Sequence, residues 1–81
     1  MKQRMDNAAL PQILEILARI GGIRNLAPDQ DFYDAGLSSV EALPLLLEME
    51  ECFGLSIPDE RFIAARTAAD LGNLIDELRQ D

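Results

Sequence analysis

Apolar residues recur at helical spacing along almost the whole chain, and no run alternates in the manner of a β-strand. The first helix is predicted from a face that comprises Ile13, Leu14, Ile16, Leu17 and Ile20. The pair Gly21-Gly22 ends it, because glycine readily takes the left-handed backbone of a helix terminus. Two starts fit: Asn7 as the N-cap, or Pro11 at the beginning of the regular part.

A second helix is predicted from about Ser39 to Phe53, since Gly54 follows it and Pro58 lies just beyond. A short helical turn is predicted from about Asp59 to Ala64. The last helix follows Thr67, whose spacing to Asp70 is that of a capping box. Its buried face comprises Ala68, Leu71, Leu74, Ile75 and Leu78.

The connection between the first two helices is long, running over 17 residues from Gly21 to Leu37. Loops of this length are uncommon in compact domains and are usually functional or held by their own side chains. The residues expected to hold it are Leu26, Phe32, Tyr33 and Leu37. The prediction is an all-α bundle of three main helices and one short helix, forming one domain over residues 1–81.

The second helix has two apolar faces. Its core face is predicted to comprise Ala42, Leu45, Leu46, Met49, Cys52 and Phe53. A separate arc holds Val40, Leu43 and Leu47, which a helix with one buried face does not need. This second stripe either packs against the long loop or forms a surface for a partner protein, with an apolar centre and a charged rim.

The acids near this stripe divide into two groups. Ser38 and Glu41 have the spacing of a capping box, which gives Glu41 a structural role at the helix start. Glu48, Glu50 and Glu51 are expected to be solvated charges, available to basic residues of partners. Asp29, Asp31 and Asp34, which precede the helix, loosely resemble a calcium loop. The alternation of oxygen ligands breaks at Tyr33, so no metal site is predicted.

Composition narrows the possible functions. Seven basic and 15 acidic residues give a net charge of −8, which argues against nucleic-acid binding and favours basic protein surfaces. No apolar stretch is long enough to enter a bilayer stably, and no secretory signal is visible, so a cytoplasmic location is expected. The chain has no histidine, and its one cysteine, Cys52, is expected to be a small core or boundary residue, so we expect no catalytic site.

Ser39 is the residue best placed for covalent modification. It lies where a glycine-containing loop enters an apolar helix, and its hydroxyl is expected to be exposed. A phosphate attached there would lie against the unpaired amides and the positive end of the helix dipole. Ser38 is better placed as the N-cap, with its oxygen turned toward the first turn, which leaves Ser39 as the outward hydroxyl.

Residues from Asp31 to Pro58 resemble the acyl carrier protein family. The segment Gly36-Leu37-Ser38-Ser39-Val40 stands where that family has Gly-x-Asp-Ser-Leu. Downstream, Glu50-Glu51-Cys52-Phe53 and Ile57-Pro58-Asp59-Glu60 are similar to the end of the family's second helix and the entry to its third, without insertions. With the helix lengths and the long loop, the resemblance covers essentially the whole chain.

The resemblance implies an acyl-carrier-like four-helix bundle whose Ser39 is esterified by 4′-phosphopantetheine from coenzyme A. The arm would hold acyl or aminoacyl groups as thioesters. The partners implied are a phosphopantetheinyl transferase, a loading ligase, and acyl-transferring or elongating enzymes, all meeting a monomeric carrier. The positions that match the family's docking surface are Val40, Glu41, Leu43, Leu47, Glu50 and Glu51.

The chain also departs from the family pattern. Ser38 replaces an Asp or His, which removes a charge that helps the transferase, Val40 replaces Leu, and Pro44 is foreign to the usual helix. These features suggest a specialised stand-alone carrier, and the Ala-Gly-Leu-x-Ser variant is similar to carriers loaded by dedicated ligases, some with amino acids. The alternative is an unmodified carrier-like module that binds proteins through the second stripe.

Overall fold

The computed structural model describes residues 8–79, and this part of the chain contains four helices. They are α1 (Leu10–Gly21), α2 (Ser39–Phe53), α3 (Asp59–Ala64) and α4 (Ala68–Arg79). The only strand-like feature within these residues is an isolated antiparallel bridge between Asp31 and Thr67. The predicted all-α fold, with three main helices and one short one, is confirmed.

The observed helix ends follow from local chemistry. Pro11 lies in the first two positions of α1, which favours the later of the two predicted starts, while Asn7 lies outside the described residues. Gly22 ends α1 with a φ of 69°, and its N–H donates to the Ala18 carbonyl. Gly54 ends α2 in the same left-handed conformation, with a φ of 67°. Such caps satisfy carbonyls that the helix itself leaves unpaired.

The core forms where α1 packs against α2 and α4. The fully buried helical side chains are Ile13, Ile16 and Leu17 of α1, Leu45 and Met49 of α2, and Ala68, Leu71 and Ile75 of α4. Leu14, Ile20 and Leu78 lie at the margin of this core. The predicted faces of α1 and α4 are therefore confirmed, with their outermost members half-buried.

The long loop is held by its own apolar residues, as predicted. Leu26, Phe32 and Leu37 are buried, and Tyr33 is half-buried beside the core. At Gly21 a Cβ atom would lie 2.6 Å from Leu37 Cδ1, so the missing side chain lets the end of the loop close onto α1. The loop thereby becomes part of the bundle.

Two residues of α2 behave differently from a regular core helix. Cys52, expected as a core or boundary residue, is exposed, so the core alternative is wrong. It lies at the edge of the core face, where the polar Gln12 side chain of α1 donates from Nε2 to Cys52 Sγ at 3.7 Å. Pro44 is exposed within an uninterrupted helix, and because it lacks an N–H, the Val40 carbonyl loses its usual helical donor.

Candidate functional site

Ser39 is the first residue of α2 and is exposed to solvent. Ser38 precedes it in an extended conformation, with φ −90° and ψ 160°, as the N-cap. The Ser38 N–H donates to Glu41 Oε1 at 3.0 Å, and the Ser38 side chain faces the Glu41 N–H in return, which completes the predicted capping box; the same N–H also donates to the Ser38 carbonyl at 3.0 Å. The helix start is therefore fixed by Ser38 and Glu41, which leaves the Ser39 side chain out of that structural role.

The turn before Ser39 is ordered by Asp31. Its Oδ1 accepts hydrogen bonds from the Tyr33 N–H at 2.8 Å and the Asp34 N–H at 3.1 Å. The Leu37 N–H then donates to the Phe32 carbonyl at 3.0 Å, closing the turn over two buried side chains. The chain consequently enters α2 from a defined direction.

The second apolar stripe of α2 lies on the surface. Val40 is 80% exposed, Leu43 60% and Leu47 55%, so the interpretation in which the stripe packs against the long loop is wrong. Ile63 of α3, which is 67% exposed, was not among the predicted site residues. A single large aliphatic in a six-residue helix gives no periodic signal, so the sequence alone could not mark Ile63.

A cleft of about 220 Å³ separates α2 from α3 next to this stripe. The side chains that line it are Ser39, Ala42, Leu43 and Leu46 from α2, and Asp59, Phe62 and Ile63 from α3. Its lining is mainly apolar, and the attachment candidate Ser39 belongs to it. The fold therefore brings an exposed hydroxyl, an exposed aliphatic stripe and an apolar cleft together.

The predicted rim acids have different surroundings. Glu48 pairs with Arg19 of α1 at 3.0 Å, and Glu50 Oε2 accepts from the Ile57 N–H at 2.8 Å. Both are half-buried, so the expectation that they are simply solvated is wrong for these two. Glu51 is exposed and has no side-chain partner among residues 8–79, as expected of a solvated charge.

Asp31 also forms an ion pair that the sequence did not reveal. Its Oδ2 lies 2.6 Å from Arg66 Nε, in the junction between α3 and α4. That hydrogen bond is the main reason that the pKa of the Asp31 carboxyl is lowered, and the Asp34 and Tyr33 amides lower it further. The same pair raises the pKa of Arg66. The Asp31 oxygens are thus occupied by donors of the protein itself.

Comparison with known proteins identifies the class to which this site belongs. The family model of the phosphopantetheine attachment site matches residues 11–75, and the chain belongs to that family. In this family 4′-phosphopantetheine is attached covalently, and the members are carrier domains.

Within residues 8–79, no helix combines the length and apolar character needed to cross a bilayer.

Two curated relatives are similar over part of their length. A probable acyl carrier protein of Caulobacter vibrioides is 37% identical over 46 residues, covering 57% of this chain and 54% of the relative. An aminoacyl carrier protein of Agrobacterium fabrum is 41% identical over 51 residues, covering 58% of this chain and 61% of the relative. The matches thus span little more than half the length of these relatives.

The residues present fit a phosphodiester-linked arm. Attachment of the arm requires a serine hydroxyl, and the hydroxyl of Ser39 is exposed at a helix N-terminus. The N–H groups of Ser39 and Val40 have no hydrogen-bond partner among the described residues. First-turn amides and the helix dipole favour an anion at this position.

Proposed function

We propose that this chain carries acyl or aminoacyl groups on a 4′-phosphopantetheine arm attached to Ser39. The observation that carries the proposal is the position of Ser39. It is an exposed first residue of a helix, in a chain whose match to the attachment-site family extends over residues 11–75. The bound arm supplies a terminal thiol, which holds the cargo as a thioester.

The attachment reaction needs a transferase, coenzyme A and magnesium. The Ser39 Oγ forms a bond to the phosphorus that bears the pantetheine, and the bond from that phosphorus to the bridging pyrophosphate oxygen breaks. The nucleotide half of coenzyme A leaves, and the hydroxyl proton passes to a base of the transferase. The carrier supplies the nucleophilic oxygen and its position, and an exposed residue at a helix start is accessible to a separate enzyme.

Partner enzymes would dock on the surface beside Ser39. Val40, Leu43 and Leu47 provide its apolar centre, and their exposure supports this role. Of the proposed rim acids, Glu51 is the one whose carboxylate has no partner within residues 8–79. Glu41 and Glu50 lie on the same rim, where each also forms a hydrogen bond within the carrier, so they act through their residual negative field.

The proposed partners are the transferase, a ligase that loads the arm, and enzymes that transfer or elongate the acyl group. Docking raises the effective concentration of the bound cargo at each active site. The carrier acts as a single domain and a monomer in the cytoplasm, and it performs no bond chemistry of its own beyond offering the hydroxyl. Aminoacyl cargo is included because one relative is named an aminoacyl carrier protein.

The test is the intact mass of the protein after incubation with coenzyme A, magnesium and a broad-specificity transferase. We expect the wild-type protein to gain one phosphopantetheine and Ser39→Ala to gain none. If the wild type stays unmodified with several transferases, the chain is instead an interaction module that binds proteins through Val40, Leu43 and Leu47. Loss of labelling in Ser38→Ala alone would move the attachment site to the neighbouring serine.

A further inference from the structure

The long loop is fastened to the junction between α3 and α4 by several bonds at one place. Asp31 Oδ2 pairs with Arg66 Nε at 2.6 Å across 35 positions of sequence. The Phe32 N–H donates to the Arg66 carbonyl at 2.9 Å, and the Ala69 N–H donates to the Pro28 carbonyl at 2.9 Å. Side-chain and backbone bonds therefore reinforce each other there.

Arg66 contacts this turn in a second way. Its guanidinium carbon lies 4.9 Å from the centroid of the Tyr33 ring, a distance suited to a cation–π interaction. Tyr33 and Asp34 donate their amides to Asp31, the partner of the same arginine. One side chain thus holds both the aromatic ring and the carboxylate that order the turn.

Arg66 lies between the two segments that flank Ser39. On one side, the turn that it holds ends at the buried Leu37, two residues before Ser39. On the other side, Arg66 follows α3 by two residues, and Phe62 and Ile63 of that helix line the cleft to which Ser39 belongs. A displacement of Arg66 would therefore alter both sides of the attachment site.

We infer that Arg66 is a positioning residue for Ser39, holding the turn from Asp31 to Leu37 and the end of α3 in one fixed relation. The inference rests on the proposed modification of Ser39. An enzyme that approaches this hydroxyl meets α2, the turn and α3 together, and their relation decides whether the reacting atoms align. Arg66 acts through its partners and does not itself join the reaction.

The chain provides a matched control in Arg61. That arginine also forms an exposed ion pair, with Glu77 of α4, and it also lies beside the α3–α4 junction. Its ion pair joins α3 to α4 and does not involve the turn before Ser39. Arg61→Gln and Arg66→Gln therefore each remove one positive charge and one ion pair of an exposed arginine, and they differ in contact with the turn.

The experiment measures transferase kinetics on the full chain, with coenzyme A saturating and the carrier concentration varied. We expect Arg66→Gln to lower kcat/KM about two- to fivefold, the range that corresponds to an exposed ion pair. Arg61→Gln should stay within experimental error of the wild type, and Arg66→Lys should recover part of the loss because it restores the charge. The deficit should shrink as salt is raised.

A structural readout accompanies the kinetics. In Arg66→Gln, the amide signals of Tyr33, Asp34 and Ser39 should shift in NMR spectra, and the two turn amides should exchange faster with solvent. Asp31→Asn keeps an oxygen for these amides while losing the charge, so it should reproduce the kinetic loss with a smaller change in exchange. Both effects are measured well below the melting temperature, so that global unfolding does not contribute.

The outcomes separate the two hypotheses. If wild-type protein is never modified, the proposed function fails, and the amide signals alone decide whether Arg66 orders the segment up to Ser39. If the wild type is modified and Arg66→Gln matches it in kinetics and in amide signals, the inference about Arg66 is wrong. Equal losses in Arg66→Gln and Arg61→Gln would also overturn it, because the effect would then come from net charge.

Discussion

Glu50 near the end of α2 binds the backbone of Ile57, with Oε2 accepting its N–H at 2.8 Å. The Glu50 carbonyl also accepts from the N–H groups of Gly54 and Leu55 at 2.9 and 3.2 Å. Ile57 is buried, so its amide would otherwise lie in a poorly solvated place. One residue thereby closes the turn between α2 and α3 and directs the chain into the helix that lines the cleft.

The first prediction concerns this hydrogen bond. Glu50→Ala should lower the free energy of unfolding by about 1 kcal/mol, because the Ile57 amide loses its acceptor. Glu51→Ala, one residue away on the exposed side, should change it by less than about 0.5 kcal/mol. Urea denaturation of both variants measures the difference. Equal stabilities would show that water replaces the carboxylate at no cost.

A second prediction separates the two adjacent serines. Ser39→Ala should abolish attachment of phosphopantetheine and leave stability almost unchanged, since Ser39 is exposed and outside the capping box. Ser38→Ala should keep attachment and lower stability by about 0.5–1 kcal/mol through loss of the N-cap. Intact mass and thermal unfolding, measured on the same samples, test both statements. The reverse pattern would contradict the proposed roles.

The third prediction tests the docking surface on α2. Leu43 is 60% exposed, so Leu43→Asp should reduce turnover by partner enzymes with little loss of helicity or stability. Leu45 is fully buried two residues away, and Leu45→Ala should cost about 2–5 kcal/mol in a well-packed core. Circular dichroism and the transferase assay distinguish a docking defect from a folding defect. A large loss of stability in Leu43→Asp would assign this residue to the core.

The fourth prediction concerns pH. The pKa of Asp31 is lowered in the folded protein, chiefly by its hydrogen bond from Arg66 and also by the Asp34 and Tyr33 amides. A carboxyl with a lowered folded pKa stabilises the fold above its unfolded pKa, and this contribution disappears as pH falls through the folded pKa. Stability should therefore fall on acidification through and below the ordinary Asp range, near 3.8.

The control for this pH effect is Asp31→Asn, which cannot ionise. Its loss of stability on acidification should be smaller than that of the wild type in low salt. The difference should narrow in high salt because the ion pair is screened, while the hydrogen bonds from the two turn amides remain. Chemical denaturation across the acid range gives both profiles. Parallel profiles at every salt concentration would assign the acid sensitivity to other carboxyls.

The helices were predictable because their signals are local. Gly22 and Gly54 take the left-handed conformation that ends α1 and α2, as their sequence positions indicated. The capping box of Ser38 and Glu41 depends on residues three apart, which the sequence displays directly. The aliphatic stripe also follows from spacing along one helix, and so does its proximity to Ser39; that it is exposed was one of two alternatives, which the structure decided.

The prediction was weakest where a side chain meets a distant segment. Of the two places expected for Cys52, the core and its boundary, the core is wrong, because a position at the edge of the helix face leaves the side chain exposed. Glu48 and Glu50 were expected to be free, yet one meets Arg19 and the other meets the Ile57 amide. A helical wheel assigns an angle to each residue and contains no information on what lies opposite.

The amino-acid sequence by itself determined the four helices, the exposed serine at the start of α2 and the aliphatic stripe beside it, since periodicity and capping act over a few residues. The tertiary structure alone decided that Ile63 completes the apolar surface and that Arg66 pairs with Asp31. Those contacts depend on the path of the long loop and on how α3 is placed between α2 and α4. Both are outcomes of packing the whole bundle at once, because loop closure and burial couple residues that are far apart in the chain.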